Sequence, residues 1–149
     1  MIEDLPEKAR EEIKRADHLV YVTLKYTRTC DVIKSIVKRL IVAFDYSFLE
    51  LLEHLKEKKK IREIPVSSKE RIDLVLKYFK EDIDSYIKLY ELLRAIDIAE
   101  YSKKEEYRKH VTLIVHLGKK DLDVDIPVIT GYFLQTKQFV NTINDYIFS

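Results

Sequence analysis

Glycine stands at only two positions in this chain, Gly118 and Gly131, and proline at only three, Pro6, Pro65 and Pro127. These residues punctuate regular structure, glycine by freeing the backbone and proline by removing an N–H donor. A chain so poor in them has no flexible linker and must run in long regular elements. Its 149 residues suit one domain, with about 70% of the unfolded chain's surface buried on folding. We therefore read residues 1–149 as a single domain around one core.

Apolar spacing assigns the elements. Pro6 suits a first helical turn, with Glu3, Asp4 and Glu7 near its positive end, and a helix is expected over about 6–28. Leu5, Ala9, Ile13, Ala16, Val20, Leu24 and Thr27 form one inward stripe at three- and four-residue steps. Leu19, Val22 and Tyr26 make a second apolar side, as a central helix or a subunit contact would require. A second helix is expected over about 31–59, opened by Thr29 or Asp31 and carrying Ile33, Ile36, Val37, Leu40, Ile41, Phe44, Phe48, Leu51, Leu52 and Leu55. It ends in a lysine run that complements its negative terminus, and Pro65 stops it.

Ser67-Ser-Lys-Glu70 fits a capping box and opens a third helix, expected over about 68–100, that frays in the polar run Ser102-Lys-Lys-Glu-Glu106. From residue 111 the apolar period changes to 2: Val111, Leu113, Val115 and Leu117, then Leu122, Val124 and Ile126 beyond Gly118-Lys-Lys-Asp121. This predicts a β-hairpin over about 110–126. Pro127 then opens a last helix to about 147. The expected fold is mainly α, an antiparallel four-helix up-and-down bundle with a short β-hairpin before the last helix. A lone ribbon is marginal in water, so the hairpin should lie on the bundle or pair with another copy.

Charge narrows the partners. Lys and Arg number 27 against 26 Asp and Glu, spread without a basic arm or an acidic tail, so nothing signals DNA. The single cysteine, Cys30, allows no internal disulfide and fits a reducing compartment. The N-terminus lacks a signal-peptide pattern and no apolar run is long enough to span a bilayer, so a cytoplasmic protein with no membrane partner is expected. Abundant Lys, Glu, Ile, Val and Tyr with scarce Asn, Gln, Met and Cys is the bias of proteins that work hot, which points to a thermophilic source.

Specific chemistry is hard to find. Two isolated glycines supply no phosphate cradle, so nucleotide binding through a P-loop or dinucleotide fingerprint is excluded and no cofactor is expected. Glu50 and His54 stand four apart on one helix and read as a surface pair rather than metal ligands. His110 and His116, about 20 Å apart along a strand, cannot share an ion, and no metal site is expected. Cys30 has Arg28 close by and a helix start beneath it, yet reads first as a small packing residue. Two basic clusters remain, Lys56–Arg62 and Lys103–His110. Lys58, Lys59, Lys60 and Arg62 are the candidate binding residues for phosphates, with Tyr101 and Tyr107 near the second cluster as stacking faces. Interleaved acids make solvated helix ends the plainer reading of both.

Ala16-Asp-His-Leu-Val-Tyr-Val-Thr-Leu24, leading into Asp31-Val-Ile-Lys-Ser-Ile-Val-Lys-Arg-Leu-Ile-Val-Ala-Phe44, resembles uncharacterised archaeal helical-bundle proteins related to the HEPN superfamily. The resemblance covers most of the chain and implies an antiparallel helical bundle that often dimerises. Members serve as RNA-cleaving toxins, partners of nucleotidyltransferases or binding modules. The ribonuclease members carry Arg, four to six residues, then His. Here Arg108 precedes His110 by two and His116 by eight, so the catalytic pair does not carry over; Arg108 and His110, as strand neighbours on one side, are the minority candidates for a metal-independent ribonuclease. The sequence reading is a non-enzymatic interaction module, a homodimer that binds a protein or RNA partner through its two-sided first helix or its hairpin edge.

Overall fold

The computed structural model of the chain describes residues 5–79 and 83–149. Helix α1 (Leu5–His18) continues through a π-helical segment (Leu19–Thr23) into α2 (Leu24–Tyr26). There follow α3 (Cys30–Glu57), α4 (Ser68–Tyr78), α5 (Asp84–Ile98), β1 (Tyr101–Lys104), β2 (Thr112–Leu117), β3 (Lys120–Asp125) and α6 (Ile126–Phe148). The fold is mainly helical, with a small three-stranded antiparallel sheet ordered β1-β2-β3.

The hub is α3, whose 28 residues run about 42 Å at 1.5 Å per residue. Thr29 caps it, Oγ1 accepting the Val32 N–H at 3.2 Å, which decides between the two caps the sequence offered. Its broad apolar face meets α1, α4, α5 and α6 in turn. At the centre, Phe44, Phe48, Tyr86 and Tyr90 gather around Phe139 of α6, with ring centroids 4.9 Å apart for Phe44 and Phe139. The inward stripe of the first helix is buried at Ala9, Ile13, Ala16, Val20 and Leu24, whereas Thr27 is exposed.

The expected third helix is two helices. Phe79 leaves the helical path (ψ 113°) to bury its ring edge-on against Tyr146 at 4.8 Å, and the chain resumes as α5 after Ile83; residues 80–82 of the expected span lie outside the described residues. A straight helix over 68–100 would be about 50 Å long and overhang α3. Broken, both pieces pack against it. Ser67 caps α4 as the capping-box pattern anticipates, its hydroxyl accepting the Glu70 N–H at 3.4 Å.

The second correction concerns residues 101–104. The polar run read as a frayed helix end is β1, the edge strand that covers β2, with Ser102 opposite Ile114 and Lys103 opposite Leu113. Exposed lysines on an outermost strand are what keeps such an edge from recruiting further strands. The expected hairpin is present as β2 and β3, turning through Gly118 at φ +64, the left-handed backbone that glycine adopts freely. Leu113, Val115 and Val124 are buried, and the sheet lies on α3, α5 and α6. Asp125 caps α6, its carboxylate accepting the Val128 N–H at 3.0 Å, with Pro127 in the first turn.

Candidate functional site

A groove of about 540 Å³ lies between α1 and α6, lined by Arg10, Ile13, Lys14, Asp17, His18, Val22, Lys137, Val140 and Asn141. Helical spacing builds it: Ile13 and Val140 belong to buried stripes and form an apolar floor, while residues one turn away raise charge along the rim. Arg10, Lys14 and Lys137 face a single acid, Asp17, so the groove favours anionic groups above an apolar base.

Below Arg10 lies a buried polar cluster. Asn144 turns its Nδ2 toward Glu50 Oε1 at 3.2 Å and its Oδ1 toward the Arg10 guanidinium. Glu50 is only 5% exposed, and its Oε2 has no partner among the described residues. Burial pushes the Glu50 carboxyl up to about 7, against the opposing pull of Arg10. The expected surface Glu–His pair is thus corrected: Glu50 points into the protein, whereas His54 stands edge-on to Tyr146 at 5.9 Å. Burial, helped by Lys58, lowers the His54 pKa. Beside the groove a second buried acid, Glu12, holds Arg15 at 2.8 Å and Arg39 at 3.2 Å.

The outward side of the same helix carries the second apolar face. Leu19 packs against the core, but Tyr21, Val22 and Tyr26 are 49%, 42% and 80% exposed. The π segment, closed by the Leu24 N–H on the Leu19 carbonyl, accommodates one more residue per turn than an α-helix. It keeps Val20 and Leu24 inward while Tyr21 leans edge-on against Phe133 at 5.9 Å.

Lys58, Lys59, Lys60 and Arg62 are all exposed at the end of α3. There the Lys60 N–H reaches the Leu55 carbonyl at 2.9 Å and the Lys59 N–H the Lys56 carbonyl at 3.0 Å, a Schellman turn with Lys59 at φ 61. Arg108 and His110 share no strand: both are exposed in the turn between β1 and β2, where the Arg108 carbonyl accepts the Val111 N–H and the His110 carbonyl the Thr112 hydroxyl. The strand alternation that would have put them on one side begins only at Thr112. Cys30 is buried, its thiol 3.3 Å from the Thr112 carbonyl and raised in pKa by burial and by Glu106, the setting of an inert packing residue.

Two arrangements escaped the sequence. Tyr90 Oη donates to Asp45 Oδ1 at 2.5 Å inside the aromatic cluster. Burial raises the pKa of both, and Tyr90 reaches about 12. On the solvent side of the sheet, Ser102 Oγ lies 2.8 Å from His116 Nε2 while His116 Nδ1 lies 2.8 Å from Asp121 Oδ1. The period-2 pattern places His116 on the face opposite Leu113, but Ser102 becomes its neighbour only once 101–104 is a strand. Among the described residues no three His, Cys, Asp or Glu side chains are grouped to hold a metal ion, and no helix is long and apolar enough to cross a membrane. Comparison with protein-family models, curated proteins and solved structures finds no match to this chain.

Proposed function

We propose that the protein is a homodimeric interaction module whose first helix supplies the contact surface and whose α1–α6 groove receives an acidic segment of a protein partner. The reading rests on the outward face of Tyr21, Val22 and Tyr26, which stays exposed in the single chain. Exposed aromatic and branched side chains in one cluster are uncommon on a monomer and common at protein contacts. Excess positive charge in the adjoining groove supports a partner with Asp or Glu flanking apolar anchors.

The first measurement is the solution mass by light scattering, for the wild type and for Val22→Asp with Tyr26→Ser, with and without added total RNA. A wild-type dimer that the double variant reduces to a monomer supports the reading, and a monomeric wild type overturns it. A salt-sensitive gain in mass on adding RNA, lost when Lys58, Lys59, Lys60 and Arg62 are replaced by Glu, would make the partner RNA instead.

A further inference from the structure

We propose that Ser102, His116 and Asp121 form a hydrolytic site on the open face of the sheet, with Ser102 as nucleophile toward esters of short carboxylic acids. The order of the hydrogen bonds carries the argument. A carboxylate only accepts, so neutral His116 carries its ring proton on Nδ1, facing Asp121 Oδ1 at 2.8 Å. Nε2 then holds a lone pair, and its neighbour at 2.8 Å is the Ser102 hydroxyl, which donates to it. A hydroxyl bonded to an imidazole that is itself oriented by a carboxylate is the arrangement that activates serine.

The sheet fixes this geometry. Asp121 lies directly opposite His116 in the β2–β3 ladder, and Ser102 pairs with Ile114, two residues from His116, in the β1–β2 ladder. The three side chains therefore share one face and are held by three strands rather than by a loop. All three are reachable: Ser102 is exposed, and the His116 and Asp121 side chains are 39% and 59% accessible. The other polar pair that sequence reasoning missed, Asp45 with Tyr90, is largely buried and offers no such access.

An oxyanion donor also follows from the ladder. The His116 N–H bonds to the Glu100 carbonyl, so by alternation Ser102 bonds across to Ile114, whereas the N–H of Lys103 points out of the β1 edge. That N–H, on the residue after the nucleophile, is left out of the β1–β2 ladder and is the donor the proposal assigns to the developing oxyanion. Ile114, opposite Ser102 in the ladder, gives a short acyl group an apolar neighbour on the same face.

In the reaction, Ser102 Oγ bonds to the ester carbonyl carbon while His116 Nε2 takes the hydroxyl proton. The tetrahedral oxyanion accepts from the Lys103 N–H, the carbon–oxygen bond to the alcohol breaks, and the alcohol leaves with the proton from Nε2. Water then attacks the acyl-serine, its proton passing through Nε2 to Oγ as the acid departs. Ester and water become acid and alcohol, with no oxidant, metal or cofactor in the balance. Asp121 touches no reacting atom; it is a positioning residue for the imidazole.

The test uses the full chain, p-nitrophenyl acetate as substrate and a fluorophosphonate as covalent probe. The expected result is saturable hydrolysis, a label on the peptide that contains Ser102, and loss of both by at least tenfold in Ser102→Ala and His116→Gln. Asp121→Asn lowers kcat at unchanged KM. Unchanged circular dichroism in these surface variants separates lost chemistry from lost fold. Absence of the Ser102 label in the wild type, or hydrolysis by Ser102→Ala at the wild-type rate, overturns the proposal.

Discussion

Cys30 and Glu106, 76 positions apart, meet where α3 begins: Glu106 Oε2 accepts the Cys30 N–H at 3.0 Å. The same turn is tied a second time by the Tyr107 N–H on the Arg28 carbonyl at 2.7 Å. The loop between β1 and β2 thus supplies the negative charge that the start of the longest helix attracts, and it anchors the sheet to the helices.

Removing that carboxylate exposes its worth. Glu106→Ala should lower stability by about 1–2 kcal/mol, since it deletes a charge-assisted bond at a helix terminus, and Glu106→Gln by roughly half as much. Chemical denaturation of the two variants checks this; equal stability of wild type and Glu106→Ala would contradict the anchoring role.

At the other end of α3, Lys59 occupies the left-handed backbone with φ 61. A Cβ there costs about 1 kcal/mol relative to glycine. Lys59→Gly should accordingly gain no more than about 0.5 kcal/mol after the added freedom of the unfolded chain is subtracted. The midpoint of urea unfolding is the readout.

Glu50 makes stability depend on pH. Its folded pKa, about 7, lies above the 4.5 of the free side chain, so between these values the folded chain binds more protons than the unfolded one, and stability falls as pH rises through that window. Glu50→Gln keeps the shape and the Asn144 contact but has no proton to lose. It should match the wild type within error at pH 4.5 and exceed it by about 3 kcal/mol at pH 8, as measured by thermal unfolding across the range.

Tyr90→Phe leaves Asp45 without its short hydrogen bond in a site where burial already raises the Asp45 pKa. The expected loss is about 1–3 kcal/mol. Adding Asp45→Leu to Tyr90→Phe should recover part of that loss, because no unpaired carboxyl then remains. Equilibrium unfolding of the single and double variants decides it.

The helices were readable where one face is apolar and a cap is local. Ser67 is named by its own sequence and Thr29 is one of the two caps the sequence offers, and the α3 stripe from Ile33 to Leu55 is buried as its spacing demands except at half-buried Ile41. What stayed hidden depends on partners distant in sequence. Nothing in Phe79-Lys-Glu-Asp-Ile83 interrupts the helical period; the break answers to Tyr146 and to the finite length of α3. Tyr101–Lys104 has no period-2 apolar pattern because it is an edge strand exposed along its whole length, and its pairing with β2 is a tertiary fact. With that strand unseen, Ser102 could not be set beside His116. Arg108 and His110 were placed by alternation that had not yet begun, since the chain is still turning there. The groove needed α1 and α6, more than a hundred residues apart, to be neighbours.

The π segment of the first helix has a consequence for how this protein can change over time. A turn that carries one residue more than an α-helix is an insertion absorbed without shifting the helix on either side. Here the core positions Ala16 and Leu24 flank Leu19–Thr23, so loss of one residue such as Tyr21 would close the turn to an ordinary α-helix with those anchors in register. The outward face could then lose or gain an aromatic ring by a single codon, independently of the core beneath it.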